Sequence, residues 1–150
     1  MGWLELGNHL EANEELDQIT ASLRAHPDVL LVRCEVYAKA KKWEMASEIS
    51  RAITELVPDS PHGWIHLAFA LHEMQRTKEA WNVLLPVVDQ FPQESFMRYN
   101  LACYACQLGL LEEAKLWLEK AFEISDVKKM KLMALEDSDL KPMWKEIGKL

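Results

Sequence analysis

Apolar residues in the middle of the chain recur at steps of three and four positions, which is the spacing of one stripe along an α-helix. The first stripe comprises Trp64, Leu67, Ala68 and Leu71, and the second comprises Ala80, Leu84 and Val87. We expect the two stripes to face each other as an antiparallel helical hairpin. Ala68 and Ala80 are small enough to let the two helix axes approach closely.

The same pattern returns with a fixed period. Alanines stand 34 residues apart at Ala12, Ala46, Ala80 and Ala114, and Pro58 and Pro92 keep the same spacing. A period of this length is typical of stacked helical hairpins. The register predicts one domain made of a partial repeat (1–26), three full repeats (27–60, 61–94 and 95–128) and C-terminal capping helices (129–150).

The middle repeat carries the most specific signal. Trp64, Ile65, His66, Leu67, Ala68, Leu71, Ala80 and Pro92 match the tetratricopeptide repeat pattern. The chain resembles that family over about residues 7–126, with departures at Arg98, Ser50 and Asp126. The resemblance implies an all-α fold, a right-handed α-solenoid of stacked antiparallel helical hairpins closed by a C-terminal capping helix.

Two local features of the middle repeat lead to further expectations. Thr77 directly precedes Lys78 and Glu79 and is predicted to cap the second helix of that repeat. Pro86 falls well inside the same predicted helix, where it removes a backbone hydrogen bond to Asn82. We therefore expect a kink in this helix.

Composition narrows the function classes. The net charge of −7 argues against nucleic acid, because phosphate binding needs a basic face. The sequence has no uninterrupted apolar run of membrane-spanning length and no signal-peptide start, which favours a cytoplasmic protein without a membrane segment. Three cysteines do not make a disulfide framework and are predicted to be buried small residues.

By resemblance to the family, recognition takes place on the concave face, which is lined by the first helix of each hairpin. The candidate residues of this peptide-binding groove are Leu31, Glu35, Lys39, His62, Ile65, Phe69, His72, Glu73, Phe96, Tyr99, Cys103 and Gln107. Ile65, Phe69, Phe96 and Tyr99 are the predicted hydrophobic anchors. In the alternative interpretation, these residues are covered by the chain's own superhelical turn or by its C-terminal helix.

The function predicted from this surface is a protein–protein interaction or scaffolding module that binds a peptide or helix of a partner protein. The alternative is self-association. In the repeat register the N-terminal partial repeat has only Trp3, Leu4 and Leu6 to cover its remaining helix, so a second copy of the chain, a partner or further repeats would stack there.

Possible chemical sites are weaker than the repeat. Cys103 and Cys106 have the spacing of a redox or zinc pair, but they lie in the middle of a predicted helix without a second pair. His62 and His66 stand four residues apart but lack the glutamate of a hydrolytic zinc helix. Asp137 is predicted to cap a helix. No phosphate loop or nucleophile elbow is present, so the sequence predicts no enzyme, no cofactor and no metal.

Overall fold

The computed structural model describes residues 26–150, and the chain divides into two compact units, one ending at Met74 and one running from Gln75 to Leu150. The predicted partial repeat, with Trp3, Leu4 and Leu6, lies outside the described residues. In the described part of the first unit, the helices are α1 (Pro27–Lys39), α2 (Trp43–Leu56) and α3 (Pro61–Glu73).

The second unit contains five α-helices and two short 3₁₀ helices. In chain order these are α4 (Thr77–Leu84), the first 3₁₀ helix (Val88–Gln90), α5 (Ser95–Gln107), α6 (Leu111–Glu123), α7 (Val127–Glu136), the second 3₁₀ helix (Ser138–Met143) and α8 (Trp144–Lys149). Every regular element among residues 26–150 is a helix, as predicted for an all-α chain. Each predicted full repeat contains two of the helices α1 to α6.

The backbone repeats with the period of the sequence. Among residues 26–150, a left-handed backbone occurs at Lys41 (φ 59°), Gln75 (φ 64°) and Gly109 (φ 79°), and each lies one period from the next. Each follows the first helix of a repeat, where a left-handed residue ends the helix. Only Gly109 adopts this conformation without steric cost.

The core of the first unit depends on close helix contacts. Leu30, Cys34, Tyr37, Ala46, Ile49, Ile53 and Ala70 form its buried cluster. The thiol of Cys34 lies 3.7 Å from the backbone carbonyl of Ala46, so a larger side chain at either position would push α1 and α2 apart. Gly63 allows a close approach of α3 to α2, because a Cβ atom there would lie 2.9 Å from Ile53 Cγ2.

In the second unit, α5 is the central element. It packs against α6, α4 and the second 3₁₀ helix, and most of its side chains are buried. Ala102 and Ala114 lie one period after Ala68 and Ala80, in positions that we call the small-residue columns of the repeat, and both are fully buried on α5 and α6. The prediction that these columns lie in the core is confirmed.

Arg98 stands in the column that holds Trp64 one repeat earlier, and both side chains bind the preceding loop. The indole Nε1 of Trp64 donates a hydrogen bond to the carbonyl of Pro58 at 3.0 Å. The buried guanidinium of Arg98 donates to three backbone carbonyls, those of Phe91 (2.8 Å), Glu94 (3.1 Å) and Val88 (3.3 Å). Arginine therefore replaces the tryptophan by closing the loop with more hydrogen bonds.

The expected kink at Pro86 is wrong. Helix α4 ends at Leu84, two residues before the proline, and the chain continues through a turn into the first 3₁₀ helix. Because proline lacks the N–H that would continue the ladder to Asn82, it ends the helix instead of bending it. The helix also begins at Thr77 itself, with Arg76 as the cap position, so Thr77 does not stand at the cap as expected.

The C-terminal segment folds as the predicted cap. Asp126 occupies the position of the closing proline and accepts a hydrogen bond from Lys129 N at 3.2 Å, which starts α7. The indole of Trp144 donates to the carbonyls of Ala134 and Asp137 at 3.1 and 3.2 Å. Met130, Ala134, Leu140, Met143 and Ile147 are buried.

Candidate functional site

Eight of the candidate groove residues lie on α1 and α3 of the first unit. Glu35, Lys39, His62, Phe69 and Glu73 are exposed, and Leu31, Ile65 and His72 are half-buried. Leu31 packs against the core cluster, so it contributes to stability as well as to the surface. The open part of this set is therefore polar around one large apolar side chain, Phe69.

Phe69 is exposed but held in place. Its side chain is 43% exposed, which is unusual for phenylalanine on a folded surface. Its ring meets the ring of Trp43 edge to face, with centroids 5.5 Å apart and an interplanar angle of 72°. This geometry is a favourable one for aromatic pairs. The first unit thus has an exposed phenylalanine ring on α3 that packs against a tryptophan ring at the start of α2. Trp43 lies outside the columns that the repeat register assigns to the groove.

The charged groups beside this surface interact with one another. Burial lowers the pKa of His66, the nearby Glu35 carboxylate raises it again, and His62 lowers it further. Glu35 on α1 therefore influences His66 on α3. Within residues 26–150, no group of three or more histidine, cysteine or acidic side chains is arranged to hold a metal ion.

The four remaining candidates lie on α5 and divide into two kinds. Phe96 is 52% exposed, whereas Tyr99 and Cys103 are each only 4% exposed. The Tyr99 hydroxyl donates a hydrogen bond to Asp137 Oδ2 at 2.7 Å, and the Cys103 thiol lies 3.8 Å from the same oxygen. Gln107 Nε2 donates to the backbone carbonyl of Asp139 at 2.8 Å.

This part of the surface is covered by the chain's own C-terminal segment, the alternative that the sequence analysis left open. Tyr99 and Cys103 are not presented to a partner in this structure, because the second 3₁₀ helix packs on α5. Asp137 caps that 3₁₀ helix as predicted, since its Oδ1 accepts a hydrogen bond from Asp139 N at 3.0 Å. Its other oxygen reaches α5, a contact across 38 residues that no local sequence pattern indicates.

The cysteines are poor nucleophiles in these surroundings. Burial, followed by the charges of Asp137 and Asp139, raises the pKa of Cys103 well above its usual value, and burial also raises that of Cys106. Burial, and then Glu35, raises the pKa of Cys34 to about 11. Since the thiolate is the reactive species and the metal ligand, the pattern favours a structural role for all three.

Helical hairpins in a regular register, with small residues where helices meet, define an all-α repeat fold of the tetratricopeptide-like solenoid class. Comparisons with known proteins agree on the fold. No family model matches the chain, and no curated protein matches it. Among solved structures the chain is similar to the crystal structure of MamA, with 13% identity and a TM-score of 0.72 over 99% of this chain and 91% of that one.

Two further MamA structures give the same result. One is MamA 41-end from Desulfovibrio magneticus RS-1, with 17% identity, a TM-score of 0.69 and coverage of 81% of this chain and 69% of that one. The other is MamA MSR-1 C2, with 23% identity, a TM-score of 0.65 and coverage of 81% and 70%. At these identities the comparisons show the fold. No helix among residues 26–150 has the length and apolar character needed to cross a bilayer.

Proposed function

We propose that this chain is a protein-interaction or scaffolding module that binds a peptide or helix of a partner protein at the exposed surface around Phe69. The observation that carries the proposal is a large aromatic ring that is 43% exposed yet fixed against Trp43. Aromatic side chains are enriched in protein–protein interfaces, whereas single exposed aliphatic residues are common on any protein surface.

The energy available at Phe69 fits an anchor residue. A phenylalanine side chain buries on the order of 200 Å², so covering its exposed 43% contributes roughly 2 kcal/mol. Because the contact with Trp43 holds the ring before a partner arrives, less side-chain entropy is lost on binding. A contribution of this size is typical of a residue that dominates an interface.

The side chains around Phe69 supply selectivity. The exposed carboxylates of Glu35 and Glu73 and the exposed ammonium of Lys39 lie among the groove columns of the first unit. A partner segment that places an apolar side chain on Phe69 and a basic group near the carboxylates would suit this pattern. The net charge of −7 favours such a protein partner over nucleic acid.

The proposal includes no catalysis, cofactor or metal. The raised pKa values of the thiols keep them protonated near neutral pH, which supports a binding role over a reactive one. A cytoplasmic location remains part of the proposal.

The test is a cross-linked pull-down from the native lysate with three matched proteins: the wild type, Phe69→Glu and Leu56→Glu. Leu56 is the control because it is an apolar residue of the same unit with a similar exposed fraction, 46%, but lies outside the groove columns. Circular dichroism first establishes that the three are equally helical. A protein captured by the wild type and by Leu56→Glu, but lost from Phe69→Glu, is the expected result.

Identical captures by all three proteins would overturn the assignment of Phe69. Capture of the chain by itself alone would favour self-association through the N-terminal end. That alternative predicts a concentration-dependent mass that Trp3→Glu abolishes, and its residues lie outside the described part of the chain.

A further inference from the structure

The C-terminal strap, which we define as residues 137–143, lies on α5. It consists of Asp137 and the second 3₁₀ helix. The carboxylate of Asp137 accepts a hydrogen bond from the Tyr99 hydroxyl, and the backbone carbonyl of Asp139 accepts one from the side-chain amide of Gln107. Leu140, at the centre of the strap, is completely buried. The strap thus combines an acidic group, a backbone contact and an apolar anchor.

The strap contacts three of the groove positions of the last repeat: it covers Tyr99 and Cys103 and binds Gln107, which stays exposed. Tyr99, Cys103 and Gln107 stand four residues apart, so they form one stripe along α5. One period earlier the same columns are Ile65, Phe69 and Glu73 on α3, and there Phe69 is exposed. The strap therefore lies, in the last repeat, on the columns in which Phe69 and Glu73 are exposed in the first unit.

We propose that the strap is an intramolecular ligand that closes this stripe of α5, and that an acidic-apolar segment of a partner protein competes with it for the stripe. The inference rests on the proposed function, because it treats these columns as a recognition surface. The competing segment presents an aspartate to Tyr99 and Cys103, a backbone carbonyl to Gln107 and a leucine-sized side chain in place of Leu140.

The closed form dominates in the free chain. Leu140 and Met143 are large apolar residues that become exposed when the strap lifts, so the open form is a minor state. The strap is joined to α7 at Asp137, whose backbone is extended (φ −85°, ψ 114°), and opening requires rotation there. A partner segment binds the stripe of α5 only if its own contacts compensate for those of the strap. The strap therefore selects partner segments that resemble it chemically.

The alkylation rates of two cysteines in the full chain measure how often the strap opens. Cys103 lies directly under the strap, whereas Cys34 is buried in the first unit and serves as an internal control for general unfolding. The rate at which each thiol is alkylated under native conditions is read by peptide mass spectrometry. Tyr99→Phe removes the bond to Asp137 while keeping the ring, and it should accelerate alkylation of Cys103 about tenfold without changing that of Cys34.

A second variant tests competition. Leu140→Glu in the full chain prevents the strap from seating and leaves the stripe intact, so alkylation of Cys103 should rise at least as much as in Tyr99→Phe. An excess of a synthetic peptide of residues 136–150 should then slow alkylation of Cys103 about fivefold or more. The same peptide carrying Asp137→Asn is the matched control and should protect much less. Leu140→Ala replaces Leu140→Glu if circular dichroism shows that the glutamate variant has lost its helices.

Either of two results would overturn the inference. Equal acceleration of Cys103 and Cys34 would mean that the strap opens only when the chain unfolds, and protection by neither peptide would mean that the stripe does not bind this chemistry. The assay needs no natural partner and does not involve Phe69. It can therefore fail while the proposed function stands, and the reverse also holds.

Discussion

Replacement of Gly63 by alanine is expected to destabilise the first unit. The new methyl group would lie 2.9 Å from Ile53 Cγ2, 3.0 Å from the backbone nitrogen of Thr54 and 3.1 Å from Thr54 Cγ2. Carbon atoms in favourable contact are about 3.5–4.0 Å apart, so all three contacts are too short. Ile53 is buried in the core and Thr54 N belongs to the backbone of α2, so α3 must move away from α2.

Two opposing effects set the magnitude. Alanine gains about 1 kcal/mol over glycine inside a helix. Forcing an extra carbon into a filled core costs about 1–3 kcal/mol. The difference is a net loss of about 1 kcal/mol in the free energy of unfolding, which lowers Tm by about 2–4 °C for a chain of this size.

The assay is urea unfolding followed by far-ultraviolet circular dichroism, with Gly148→Ala as the matched control. No atom lies within 4 Å of the Cβ position of Gly148, which is also in a helix. We expect the control to be as stable as the wild type or slightly more stable. If Gly63→Ala is as stable as the wild type, the close approach of α3 and α2 does not limit packing as argued.

Three further predictions concern other parts of the chain. Arg98→Ala removes the hydrogen bonds from the guanidinium to the carbonyls of Phe91, Glu94 and Val88 and should lower the free energy of unfolding by about 2–3 kcal/mol in urea titrations, so an unchanged midpoint would contradict the role of Arg98. Gln75→Gly relieves the left-handed backbone and should stabilise the chain by about 0.5–1 kcal/mol, whereas a loss of stability would refute this account of the turn. Because burial lowers the pKa of His66, the unfolded chain binds the proton more readily, so stability is complete above the usual histidine pKa of 6.5 and falls as the pH drops below it. His66→Gln should reduce the loss of stability between about pH 7.5 and about pH 5.5, and equal losses in variant and wild type would exclude His66 as its source.

Much of the fold could be predicted from the sequence because the same residue types recur at the packing positions of each repeat. Cys34, Ala46, Ala102 and Ala114 all stand in small-residue columns, and all four are buried where helices meet. The left-handed turns after the first helices recur with the same period, but only the turn at Gly109 has a glycine that would predict it from the sequence. Lys41 and Gln75 adopt the same conformation at a steric cost that the surrounding hairpins offset.

Contacts that belong to a single repeat could not be predicted in this way. Gly63 is required by the packing of α3 on α2, but the same column holds Val29 and Met97 in the neighbouring repeats, so the register gives no signal there. The register predicts a second helix of full length in every repeat and so places Pro86 inside a helix, whereas α4 ends at Leu84.

The repeat register predicts the exposure of only some of the candidate groove residues. Phe69 and Phe96 lie exposed in their expected columns, whereas Tyr99 and Cys103 stand in equivalent columns and are covered. The difference comes from Asp137, which lies beyond the end of the repeat and binds Tyr99 through a contact between distant segments. A periodic pattern predicts what its own residues do and carries no information about a segment that departs from it.

The central claim is that a partner protein binds at Phe69, and the most direct test places a photo-crosslinking amino acid at that position in the native host. The same amino acid at Leu56 is the control, because Leu56 has a similar exposed fraction in the same unit. We predict that illumination links a distinct protein to the chain from position 69 and not from position 56. The same products from both positions, or none from position 69, would contradict the account.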